Sequence, residues 1–347
     1  MFVAPGNLNV MAATIRDIKE RTGLSLATIS KYLNGGNVLP ENRIKIEAAI
    51  KELHYSVNEI ARGLVTSRTR TVGVVVYSIE SLFNGTLLHH IGNALRAAGY
   101  GLLICDSMGD AETEAQNIKF LVNKKVDGII VVPVSTKAEF LEPAKNAGIP
   151  AVLLDRAIFD GDFDCVRIDN RTTARRAVDY LIKRGHRKIA IIASGAEYTG
   201  IERYKGYKDA LKEAGIEISK EYVENTGVHS IEYGTEAMER ILKLKDAPTA
   251  VFCTNYEITL GAVMVLNDSG KSCPDDISIL GFDDLILSHI VKPNLSIVVQ
   301  PMKEMSEKAV EVLLGHIDSD DGAAPVEVVV GARLKEGDSV KDLTKEK

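Results

Sequence analysis

After residue 71 the chain alternates between short β-rich apolar runs and amphipathic helical stretches, and no other feature restricts its fold as tightly. The runs are VGVVVY (72–77), YGLLICD (100–106), DGIIVVP (127–133), PAVLLD (150–155), KIAIIA (188–193), TAVFCT (249–254) and ISILGF (277–282). Between them lie helical patterns such as LLHHIGNALRAAG, AQNIKFLVNKK, TARRAVDYLIKRG and ERYKGYKDALKEAG. Continuous apolar strands separated by helices imply parallel sheets covered on both faces. The series divides near residue 170 into two similar halves. The expected fold class is therefore α/β, with a core of two subdomains, each a parallel sheet flanked by helices. The late runs LSIVVQP and PVEVVVGARL are expected to return across the gap and form the hinge.

Residues 14–53 follow a different, all-helical pattern. Ile15 and Ile18 share one face of a short helix, and Gly23 stops it. Ser25 can cap a second helix that turns Ile29 and Leu33 inward. The cluster NGGN (34–37) is a turn, and a third helix follows Pro40. Its expected apolar stripe includes Ile44, Ala48 and Leu53, with Ile46 and Ile50 nearby. Residues 55–70 are polar and end basic, which suits a linker holding at most a two-turn helix. The organisation read from these shifts is an extension (1–13), a helical head (14–56), a hinge (57–71), a two-lobed core (72–335) and a tail (336–347).

Charge sets the head apart from the core. The chain carries a net −6, yet residues 1–70 alone are +4 and the remainder −10. A basic head on an acidic body assigns contact with a polyanion to the head.

The stretch TIRDIKERTGLSLATISKYLNG (14–35) has the form of two helices crossing at a glycine-containing turn, the second with a polar face. Leu26, Ala27, Ser30 and Lys31 lie opposite the inward Ile29 and Leu33. A helix presented in this way to a major groove lets Lys31 donate to guanine acceptors and lets Leu26 and Ala27 meet thymine methyl groups. Ser25, Thr28 and Ser30 can bind phosphate oxygens and fix the register.

This stretch resembles the DNA-binding head of the lactose/galactose-repressor family, and the resemblance continues through the rest of the chain. It implies a helix-turn-helix head joined to a periplasmic-binding-protein-like core. It also implies DNA contacts from Asn34, Tyr55, Asn58, Ala61, Arg62 and Leu64, with Leu64 wedged into a central minor-groove step. Two positions depart from the family pattern. Val57 stands where proline is usual, and Lys31 stands where arginine is common, giving a point donor in place of a rigid fork.

In open α/β sheets, ligands bind beyond the carboxyl ends of the strands. The polar and aromatic residues expected there are Ser81, Phe83 and Asn84, then Asp155, Arg156, Asp169, Arg203, Asn255, Asp283 and Gln300. Carboxylates and amides that accept from hydroxyls, an arginine that donates and an aromatic that covers a ring face suit a polyol. The core also resembles sugar-binding proteins, which implies ligand hydrogen bonds from Asp155, Arg156, Arg203, Asn255, Asp283 and Gln300. A monosaccharide of the pentose type is the leading ligand, ahead of a purine. His229 stands where a stacking aromatic is usual, and Tyr256 stands where an aspartate commonly follows the asparagine. The resemblance further implies a homodimer on double-stranded operator DNA.

The four cysteines are far apart and lie in or beside apolar runs, which suits buried free thiols in a cytoplasmic protein. No nucleophile elbow, phosphate loop or dinucleotide fingerprint is present, and no metal ligand set or cofactor is read. No apolar run reaches membrane-spanning length. The reading is a non-enzymatic transcription regulator controlled by a small molecule. Two alternatives remain: control mainly by a protein corepressor, and a sugar-binding transport protein.

Overall fold

The computed structural model describes residues 13–33, 35–56, 68–283, 286, 290–319 and 324–345. The chain forms two compact units, 1–69 and 70–347.

In the first unit, α1 (Ile15–Thr22), α2 (Leu26–Leu33) and α3 (Pro40–Glu52) surround a small core of Ile18, Ile29, Ile46 and Ala49. Thr14 and Asp17 form a capping box at the start of α1, and Gly23 ends it in the left-handed region at φ 70°. Ser25 Oγ accepts from the Thr28 amide at 3.2 Å and so caps α2. Arg21 on α1 pairs with Glu52 at the end of α3 at 2.8 Å. The expected stripe on α3 holds at Leu53 but is otherwise rotated. Ile44 is 67% exposed and Ala48 also faces water, whereas Ile46, Ala49, Ile50 and Leu53 point inward. The segment RIKIEAAIKE carries apolar residues on two faces, and packing against α1 and α2 selects the second.

The second unit contains two six-stranded sheets. In the first lobe, β1 (Thr71–Val76), β2 (Gly101–Asp106), β3 (Gly128–Val131), β4 (Ala151–Leu154), β5 (Asp164–Ile168) and β11 (Glu327–Val330) run in the order β11-β5-β4-β3-β1-β2. In the second lobe, β6 (Ile189–Ser194), β7 (Val223–Gly227), β8 (Ala250–Cys253), β9 (Ser278–Phe282), β10 (Ser296–Val299) and β12 (Arg333–Lys335) run β12-β10-β9-β8-β6-β7. The two orders are the same pattern repeated. Only the last strands differ, β11 being parallel to β5 and β12 antiparallel to β10.

Helices α4 (Leu82–Ala97), α5 (Ala111–Asn123) and α6 (Glu142–Asn146) belong to the first lobe. Helices α7 (Asn170–Lys183), α8 (Tyr198–Glu213), α9 (Ile231–Leu242) and α10 (Tyr256–Asp268) belong to the second. Close packing of the paired helices needs glycine: a Cβ on Gly206 of α8 would lie 2.2 Å from the Arg171 carbonyl oxygen, and one on Gly261 of α10 would lie 2.3 Å from that of Ile231. Helix α11 (Met302–Asp318) follows β10 but packs on α4 and the first sheet. The chain thus crosses between lobes three times, after β5, β10 and β11, in keeping with the hinge expected from the late strands.

Residues 336–345, expected as a tail, are built into the second lobe. Ser339 Oγ donates to the Ile279 carbonyl at 2.7 Å and accepts from the Ser296 amide at 2.8 Å. The Leu343 amide donates to the Arg184 carbonyl at 2.8 Å, and His186 bonds Thr249 and the Lys341 carbonyl. Among the described residues no helix is long and apolar enough to cross a membrane.

Candidate DNA-reading face and interlobe cleft

On the head, α2 buries Ile29 and leaves Leu26, Ala27 and Lys31 exposed, with Ser25 exposed just before it. Thr28 and Ser30 are half-buried at the margin of this face. The Ser25 and Thr28 hydroxyls share a hydrogen bond of 2.9 Å, so part of their bonding capacity already orders the helix start. Tyr55 leans on the small core and is half-buried. Tyr32, which the sequence did not single out, fastens α2 to α3 by donating to Glu47 at 2.9 Å. Asn34, Asn58, Ala61, Arg62 and Leu64 lie outside the described residues.

The strand-end residues of the core converge between the lobes. Phe83, Asp155, Arg156, Arg203, His229, Asn255, Asp283 and Gln300 line one cleft together with Tyr77, Thr199 and Glu257, and their side chains leave a cavity of only about 10 Å³. Asp155 and Asp283 occupy equivalent places in the repeated sheets, just past β4 and β9. Both take left-handed backbone angles, φ 67° and 68°. The Asp155 amide donates to the Val166 carbonyl at 2.8 Å, and the Asp283 amide donates to that of Val298 at 2.9 Å. Non-glycine residues held in this region of backbone space concentrate at ligand clamps.

Charges are buried here to an unusual degree. Arg203 is 2% exposed, Asp155 3%, and Arg156, Asp283 and Gln300 4% each. Arg203 donates to Asn170 at 2.8 Å and to the Thr254 carbonyl, lies 3.7 Å from Asp283, and sits 3.6 Å from the Phe282 ring centroid. Gln300 donates to Asp283 at 2.7 Å. Burial pushes the Asp283 carboxyl up to about 6 and also raises Asp155, while it lowers the Arg203 guanidinium. Glu197 is half-buried, and although desolvation acts to raise its carboxyl, His229 and Arg156 hold it well below the usual range. Among the described residues, Asp155 Oδ1, Gln300 Oε1, His229 Nε2 and Arg156 Nε have no hydrogen-bond partner. Unsatisfied buried polar atoms are costly, and four converging on one cleft point to a ligand that satisfies them.

Several contacts in the cleft join the lobes directly. Arg156 of the first lobe meets Glu197 of the second at 2.9 Å. Ser81 at the start of α4 donates to Glu257 of α10 at 2.8 Å.

Three expected site residues do not line the cleft. Ser81 is spent on the interlobe bond and on Tyr77. Asn84 is fully buried and donates to the Ser78 carbonyl, a local structural bond. Asp169 is exposed and caps α7 by accepting from the Thr172 amide at 2.9 Å. Asp169 and Asp155 both follow strands, but a helix starts immediately after Asp169 and takes up its carboxylate.

Sequence reading missed Tyr77, Glu197, Thr199 and Glu257. Tyr77 was counted as strand interior, although its ring lies 4.2 Å from the Arg156 guanidinium. Glu197 precedes α8 and Glu257 opens α10, so the strand-end rule carried three or four residues past β6 and β8 would have included both. The carboxylate missing at Tyr256 is supplied one residue later by Glu257, while Tyr256 itself is core. Wider grooves exist elsewhere, such as the one lined by Thr86, His90, Lys303 and Glu307, but the side chains of Lys303 and Glu307 there face water.

Residues 178–340 match the model of the periplasmic binding protein-like domain. The chain is 35% identical to the HTH-type transcriptional repressor PurR of Pectobacterium carotovorum over 334 residues, covering 95% of this chain and 97% of that one. It is 32% identical to the ribose operon repressor of Escherichia coli over 308 residues, covering 88% and 93%. A solved structure of the transcriptional regulator CelR with cellobiose superposes with a TM-score of 0.72 at 28% identity, covering 94% of this chain and 99% of that one.

Proposed function

The chain belongs to the lactose/galactose-repressor family of transcription regulators, and from that premise we propose that it is a homodimeric, operator-specific repressor whose grip on DNA is set by a monosaccharide held between the lobes. Ser25, Leu26, Ala27, Thr28, Ser30 and Lys31 form its reading face. The side chains that satisfy the sugar are Asp155, Arg156, Arg203, Asn255, Asp283 and Gln300, with Phe83 against a ring face. A pentose is the leading effector, a reading supported by the ribose operon repressor among the relatives.

The observation that carries this reading is the convergence of buried, partly unsatisfied hydrogen-bonding groups from both lobes on one cleft. Because the cleft is now filled by its own side chains, a sugar enters when the lobes part and its hydroxyls replace some of the interlobe pairs. A ligand that binds the two lobe arrangements unequally shifts the population between them. DNA affinity follows to the extent that the head distinguishes those arrangements.

Selection of operator fragments from random or genomic DNA by the purified protein, repeated across a panel of pentoses and hexoses, tests the proposal. A selected sequence whose affinity changes on adding one sugar is expected. Equal affinity for all duplexes with every sugar would overturn it.

A further inference from the structure

The cleft holds more carboxylate than cation. Asp155, Glu197, Glu257 and Asp283 line or adjoin it against two guanidinium groups, Arg156 and Arg203, and the His229 imidazole. Glu197 takes Arg156 at 2.9 Å, and His229 Nδ1 is also spent on Glu197 at 2.6 Å. Arg203 faces Asp283 at 3.7 Å. Asp155 has a 3.9 Å approach to Arg156 and feels Arg203, and both guanidinium groups are already engaged elsewhere. Glu257 receives hydrogen bonds from the neutral Ser81 hydroxyl and, at 2.6 Å, the Asn255 amide. Among the described residues no cation pairs with Glu257. Glu257 is half-buried and Asp155 is buried, so a positive group from outside the chain placed beside them would be favoured.

The unsatisfied atoms point the same way. Asp155 Oδ1 and Gln300 Oε1 are acceptors, each on a residue more than nine-tenths buried, and both lack a donor among the described residues. His229 Nε2 is a third acceptor whenever Nδ1 holds the proton toward Glu197. Against these three acceptors stands, among the described residues lining the cleft, one unsatisfied donor, Arg156 Nε. A ligand richer in donors than in acceptors therefore fits them, and an ammonium group supplies three donors together with a positive charge.

We infer that the effector is a hydroxylated primary amine, of the amino-sugar class, whose ammonium group is held by the Asp155 and Glu257 side of the cleft. This rests on the effector reading of the cleft given above and narrows it from a neutral to a cationic sugar.

Titration calorimetry at neutral pH with matched pairs tests it: galactosamine against galactose, glucosamine against glucose, and 2-amino-2-deoxyribose against ribose. In the best-bound pair the amine is expected to bind at least tenfold tighter than its neutral partner. N-acetylglucosamine is expected to lose the advantage of glucosamine, and Glu257→Gln to reduce the preference. Asp155→Asn serves as a second variant, with thermal unfolding used to check that each variant is folded. A neutral sugar that binds as tightly as its amine overturns the inference and leaves the monosaccharide reading standing. Failure of both members of every pair overturns both.

Discussion

Lys31 on α2 and Arg203 on α8 are both cations, and they stand in opposite surroundings. Lys31 is exposed on the head, on a face whose other groups are small hydroxyls and apolar side chains. Arg203 is almost wholly buried, bonded to Asn170 and the Thr254 carbonyl, beside a carboxylate and over an aromatic ring. An exposed charge costs the folded state little and stays available to an incoming polyanion. A buried charge is tied to its neighbours, so stability and recognition cannot be altered separately. Substitution at Lys31 is therefore expected to leave its neighbours undisturbed, whereas substitution at Arg203 disturbs a network.

The largest effect expected from this contrast is at Arg203. Arg203→Ala leaves Asp283 buried without its cation and Asn170 without its donor, and should cost about 3–5 kcal/mol of unfolding free energy. Denaturant titration measures it, and a loss below about 1 kcal/mol would break the contrast. Next comes Lys31→Ala, which should weaken binding to the selected operator by about 1–3 kcal/mol and flatten its salt dependence. The same variant should unfold like the parent, and a matching loss of stability would show that Lys31 is structural.

A smaller effect comes from pH. Asp283 has its folded carboxyl near 6, above its unfolded value of 3.8, so the folded protein binds the proton more tightly. Its contribution to stability is full below 3.8 and is lost as pH rises through about 6; the ligand-free protein should gain roughly 1 kcal/mol from pH 7 to 5. Asp155 shifts in the same direction. Glu197 is shifted the other way, and its contribution is lost only below its ordinary value of 4.5. Chemical unfolding at the two pH values checks this, and Asp283→Asn should shrink the gain. The smallest effect is on the head, where Ile44→Ala should change stability by less than about 0.5 kcal/mol. Its buried neighbour Ile46 should lose about 2–5 kcal/mol on the same substitution.

The two regions were unequally legible. The turn at Gly23 and the cap at Ser25 are local choices written in a few residues, and both stand where the sequence puts them. The inward face of α3 is not local: positions 44 and 48 compete with 46, 49, 50 and 53, and contact with two other helices decides. In the core, the alternation of strands and helices fixes which loops face the cleft, which is why Asp155, Arg203, Asp283 and Gln300 could be named. It does not say whether a polar residue in such a loop will serve a ligand or its own backbone. Asp169 went to a helix cap and Asn84 to a carbonyl, while Glu197 and Glu257 entered the cleft from the first residues around two helices. The docking of residues 336–345 depends on Ser339 and Leu343 meeting partners far away in sequence, which no periodicity reports.

The three passages between lobes carry one more implication, for the order in which the protein is made. The sheet of the first lobe is flanked by β11 and backed by α11, both encoded near the carboxyl end. On the ribosome, every strand from β6 to β10 has been synthesised before that sheet receives its last member. A nascent chain halted before residue 327 would hold five strands of the second sheet, with the β10 edge still lacking β12, and five of the first, with the β5 edge still lacking β11.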